Sequence, residues 1–111
     1  MVQILKEYGI TDKRERYNLS KVQGHNLADY VGQRIEVKAY LIVETTNDAT
    51  GAITKSLKIM TPENEVIGTI SRAFIDGFLE FTTFMDSDEV GSFEVEQKTA
   101  KNGRKYLSFL A

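Results

Sequence analysis

Three observations predict a mainly β domain. Apolar residues alternate with period two in five segments between residue 33 and the C-terminus. A single helical pattern lies between the third and fourth of these segments. The last two are joined by Asn102-Gly103, a strong hairpin signal. Three strands, a helix and two strands is the order of the OB-fold, a five-stranded Greek-key barrel. Residues 30–111 are therefore expected to form this barrel, with its one helix between strands three and four. Residues 1–29 are read as an N-terminal extension, partly helical.

The elements follow in order. Ile4, Leu5 and Tyr8 fit one face of a short helix that Gly9 stops. Thr11 to Tyr17 is highly charged and reads as surface, and Leu27 to Gly32 as a turn of helix closed by its glycine. From residue 33, Ile35, Val37, Ala39, Leu41 and Val43 alternate with Arg34, Glu36, Lys38, Tyr40, Ile42 and Glu44. That pattern predicts one long strand with a core face and a mostly polar face. Thr46 to Gly51 has loop composition. A second strand spans about 53–60, with Ile53, Leu57 and Ile59 on one side. Thr61 to Glu65 holds the only proline and reads as the next hairpin connection. Val66 to Ile70 is the third strand, with Gly68 a bend or bulge. Ser71 suits an N-cap. Behind it, Phe74, Ile75, Phe78, Leu79, Thr82 and Met85 recur at helical spacing over 72–85. Gly77 within that run costs about 1 kcal/mol relative to Ala. Phe93, Val95 and Gln97 mark the fourth strand, and Lys105 to Leu110 the fifth.

Composition excludes several chemistries. The 111 residues include 14 Lys+Arg, 16 Asp+Glu, one His and no Cys, for a net charge of −2. No disulfide, thiolate metal site or Cys nucleophile is possible. No apolar run approaches a membrane span, and the N-terminus lacks a signal-peptide core. The cytoplasm is the expected location. His25 lies in a loop-like stretch and reads as solvated. Asp86, Asp88 and Glu89 could gather a hard cation, but their spacing is not that of a calcium loop. There is no Walker loop and no dinucleotide fingerprint. The expectation is a non-enzyme with no cofactor and no metal site.

Charge is distributed unevenly. Asp76, Glu80, Asp86, Asp88, Glu89, Glu94 and Glu96 fall in 73–97, which holds no Lys or Arg. Lys98, Lys101, Arg104 and Lys105 fall in 97–111, the turn end of the last hairpin and its final strand, which holds no Asp or Glu. An acidic total thus hides a basic element, placed where an OB-fold flanks its ligand groove. Single-strand binders combine such cations with aromatic stacking platforms. The candidate contacts are Lys38, Lys58, Arg72, Lys101, Arg104 and Lys105 for phosphates, with Tyr40 and Tyr106 for bases. A solvated lysine-bearing hairpin and a packed Tyr106 are the plain alternatives. Phe74, Phe78, Phe81 and Phe84 read as helix core, broad enough to serve also as a self-association surface.

Val66-Ile67-Gly68-Thr69-Ile70-Ser71-Arg72-Ala73-Phe74, followed by Phe93 to Phe109 with its Thr99-Ala100-Lys101-Asn102-Gly103-Arg104 turn, resembles the single-stranded DNA-binding proteins of tailed phages of Gram-positive bacteria. The resemblance is to phages that replicate by protein priming, and Tyr30 to Val37 looks like the entry to their first strand. It implies a stoichiometric binder that coats displaced strands, with replication proteins as further partners, and no catalysis. It also implies phosphate contacts at Arg72, Lys101 and Arg104. Val43 and Ile67 stand where relatives can place aromatics, and Leu110-Ala111 is not an acidic partner-recruiting tail. A protein-interaction module and a single-stranded RNA binder are the rival readings.

Overall fold

The computed structural model describes residues 2–111. Its strands are β1 (Val2–Tyr8), β2 (His25–Asn26), β3 (Arg34–Glu36), β4 (Ala39–Thr46), β5 (Ile53–Met60), β6 (Val66–Thr69), β7 (Ser92–Thr99) and β8 (Lys105–Leu110). The helices are α1 (Lys13–Lys21) and α2 (Arg72–Met85), with a 3₁₀ turn at Leu27–Tyr30. The fold is mainly β. One sheet runs β1-β4-β5-β6-β2 and the other β3-β7-β8. The main core lies between these sheets and α2, around Tyr40, Ile42, Leu57, Phe74, Phe78 and Phe93.

The long first strand expected from period two is in fact two strands. At Val37-Lys38 the chain turns from one sheet into the other. The Val37 N–H donates to the Gly91 carbonyl at 2.8 Å and the Lys38 N–H to the Met60 carbonyl at 2.9 Å. This corner shifts the inside–outside phase by one residue. Ile35 points into the main core before it, Tyr40 and Ile42 after it. Leu41 and Val43 then lie on the other face of β4, in a second cluster with Leu19 of α1. Both faces of β4 are therefore buried.

Residues 2–8 form a strand, not the expected helix. A helix this short is marginal alone, whereas the edge of β4 offers a complete ladder. β1 pairs antiparallel with β4 from Val2↔Thr45 to Tyr8↔Tyr40, with a register shift between Ile4 and Lys6. The charged stretch after it is helical. Asp12 caps α1 by accepting from the Glu15 N–H at 2.8 Å. The Glu15 carboxylate accepts from the Thr11 hydroxyl at 2.6 Å and the Thr11 N–H at 3.0 Å. Those bonds hold Glu15 below the usual carboxylate range. Arg16 grips Glu7 through two 2.6 Å bonds and so ties α1 to β1.

The later elements follow the sequence closely. The Ser71 hydroxyl caps α2 by accepting from the Phe74 N–H at 3.4 Å. Gly77 has a packing reason: a Cβ there would lie 3.1 Å from Cβ of Phe109 on β8. Gly68, expected as a bend or bulge, instead pairs in regular register with Lys58. A Cβ at Gly68 would meet the Lys58 side chain at 3.2 Å, so the glycine leaves room for that lysine. No described helix is long and apolar enough to cross a membrane.

Candidate nucleic-acid interface

The β7–β8 hairpin carries the densest group of predicted residues. Its ladder pairs Gln97↔Leu107, Lys98↔Tyr106 and Thr99↔Lys105. The turn is closed by the Ala100 N–H donating to the Arg104 carbonyl at 2.8 Å and the Gly103 N–H to the Ala100 carbonyl at 2.9 Å. The Asn102 side chain accepts from the Arg104 N–H at 3.0 Å. Gly103 has φ +84°, which explains the Asn-Gly choice.

Side-chain alternation then sorts the hairpin. Phe93 and Val95 enter the core. Lys98 and Tyr106 lie opposite one another on the other face, and Tyr106 is 39% exposed. Lys98, Lys101, Arg104 and Lys105 are all exposed. Among the described residues none of these four makes an ion pair or a side-chain hydrogen bond; the ion pairs are formed elsewhere, by Lys6, Arg16, Arg34 and Lys55. Uncompensated cations beside a half-exposed ring can neutralise phosphates and offer a base a stacking partner. Lys98 was not among the predicted contacts. Its place was legible, because a ladder closed on 100–104 sets 98 across from 106.

The other predicted residues sit on separate elements. Arg72 is exposed at the first position of α2, with no side-chain partner among the described residues. Lys38 donates to the Asn64 side chain at 3.1 Å, at the β5–β6 connection. Lys58 lies on the outer face of β5, where its ammonium donates to the Val22 carbonyl. Burial pushes the Lys58 pKa down. The residue borders a groove of about 290 Å³ formed with Gln23, His25, Asn26 and Thr69. Its charge is already spent inside the chain. Lys58→Ala is therefore expected to weaken single-strand binding less than Lys101→Ala does, measured by anisotropy on one labelled oligonucleotide.

Tyr40 is a correction. It was expected on a polar face as the best stacking platform, but it is fully buried. Its hydroxyl donates to the Asp88 carbonyl at 2.7 Å, and its ring meets Phe78 edge-on at 4.8 Å between centroids. The phase shift at Val37-Lys38 turned it inward. Phe84 is the converse case: expected in the helix core, it is 80% exposed. Phe74, Phe78 and Phe81 do pack, all against Phe109. His25 is exposed, as expected. Asp88 meets Lys6 at 3.0 Å, and no group of three or more metal-ligating side chains occurs among the described residues.

No protein-family model, curated protein or solved structure matches the chain.

Proposed function

We propose that this chain is a single-stranded DNA-binding protein with an OB-fold, one that coats displaced strands during phage DNA replication with little sequence preference. The observation that carries the reading is the β7–β8 hairpin, where a half-exposed tyrosine lies directly across from Lys98 and three further unpaired cations, Lys101, Arg104 and Lys105, follow at and beside the turn. The barrel reading is supported by strand neighbours. With β3 and β4 as one bent strand, the chain has every neighbour pairing of an OB-fold except that of β6 with β8. β6 pairs instead with β2. The phage assignment is supported by the resemblance of segments 66–74 and 93–109.

The test is a titration of purified protein against labelled oligo-dT and the matching duplex at low and moderate salt. The expected result is tight, salt-weakened binding to the single strand and little to the duplex. Absence of binding at low salt overturns the reading. An oligo-rU competitor distinguishes an RNA preference in the same experiment. Exposed Phe84 and Met85 at the end of α2 favour a second reading, self-association at that end. Sedimentation that depends on protein concentration, and stops doing so in Phe84→Ser, is its signature.

A further inference from the structure

Helix α1 has two unlike faces. Leu19 is its one buried side chain, flanked by half-buried Arg16 and Ser20. At the helical turn per residue, Lys13, Tyr17, Lys21 and Arg14 share an arc of about 100° on the solvent side. All four are exposed. The three cations make no ion pair among the described residues, because Glu7 is taken by Arg16 and Glu15 by Thr11. Tyr17 is 63% exposed, with the Lys21 ammonium 5.7 Å from its ring centroid. A solvated helix face accounts for the lysines. It does not account for an exposed ring facing exposed Val2 and Ile4 across a slot. That slot, about 190 Å³, runs between α1 and β1 over Leu41 and Val43.

We propose that this slot and its basic rim form a second contact surface for single-stranded nucleic acid. A base lies against Tyr17 over Val2 and Ile4, and Lys13, Arg14 and Lys21 neutralise the neighbouring phosphates. Charge complementarity selects the ligand. An apolar slot walled by Tyr17 and unpaired Lys13, with Arg14 and Lys21 on the adjoining helix face, matches an anionic chain whose planar bases are free to leave their stack. The inference rests on the single-strand reading above and extends it. α1 lies over the outer face of β4, and the chain just after it holds Lys58 through Val22. The helix thus presents cations above a sheet face that it covers.

The experiment uses the full chain, with Tyr17→Ala and the triple variant Lys13→Ala/Arg14→Ala/Lys21→Ala. Both change exposed helix positions to the best helix former, and circular dichroism verifies the fold. Tyr17→Ala is expected to weaken oligo-dT binding on the order of tenfold, the loss of one stacked base. The triple variant should reduce the slope of log affinity against log salt by about 2, for three lost phosphate contacts. A bromodeoxyuridine oligonucleotide should photocrosslink to the α1 peptide. Wild-type affinity and slope in both variants, with crosslinks confined to the hairpin, overturn this surface and leave the hairpin reading standing. Failure of the wild-type chain to bind oligo-dT at low salt removes both. Binding of polyglutamate as tight as oligo-dT, lost in the triple variant, overturns the nucleic-acid assignment in favour of an acidic peptide.

Discussion

Replacing Lys98, Lys101, Arg104 and Lys105 together with Ala is expected to lower affinity for oligo-dT roughly a hundredfold at physiological salt. The magnitude follows from counterion release. Each phosphate neutralised on a single strand contributes a slope of about 0.7, worth about 0.8 kcal/mol near 0.15 M salt. Four such contacts sum to about 3 kcal/mol, and one substitution alone gives roughly a fourfold loss. The salt slope should fall by about 3 in the quadruple variant. Stability should barely move, because all four side chains are exposed and hold no partner among the described residues. That contrast separates a lost contact from a damaged fold. Gly103→Ala gives the complementary control. It keeps every cation but strains a turn that needs φ +84°, so affinity falls only as far as the hairpin geometry does. Unchanged affinity and slope in the quadruple variant would move the site off this hairpin.

What was legible in the sequence was local. The span of β5, the span of α2 with its Ser71 cap, and the last hairpin all follow from patterns whose start and stop lie within the segment. The hairpin cations were legible for the same reason: turn chemistry fixes which residues face one another. What was not legible depended on distant partners. The inward turn of Tyr40 is set by Gly91 and Met60, which take the N–H groups of Val37 and Lys38 far away in sequence. Nothing in an alternating run marks the residue at which its phase slips. β1 reads equally well as helix or strand until the free edge of β4 decides. Lys58 looked available because its partner is a backbone carbonyl, and carbonyls carry no sequence signal. The α1 surface was passed over as merely charged. The signal was the spacing of Lys13, Tyr17 and Lys21, four residues apart on one helix face, which becomes readable once the segment is known to be helical.

Tyr40→Ala should be the most destabilising single change among the predicted site residues, about 3–5 kcal/mol, comparable with other aromatic truncations in packed cores. The ring contacts Phe78 and stacks on Tyr8 at 6.0 Å, so its loss opens a cavity between β4, α2 and β1. Tyr40→Phe keeps the ring and removes only the bond to the Asp88 carbonyl, a loss of about 1 kcal/mol. The phenylalanine variant should bind oligo-dT as the wild type does, because a buried ring touches no base. The pH dependence gives an independent check. Burial first, then the Asp88 carboxylate and Tyr8, raise the phenol pKa above its ordinary 10.0. The folded state therefore holds this proton more tightly than the unfolded chain. Its contribution is fully present below pH 10.0 and declines as pH rises through the folded value. Subtracting the denaturation free energy of Tyr40→Phe from that of the wild type isolates that contribution. The difference should be constant below pH 10.0 and shrink above it, since the unfolded wild-type chain then gains stability by releasing the proton. A difference that stays flat across that range would mean a phenol in contact with solvent, and would return Tyr40 to the stacking candidates.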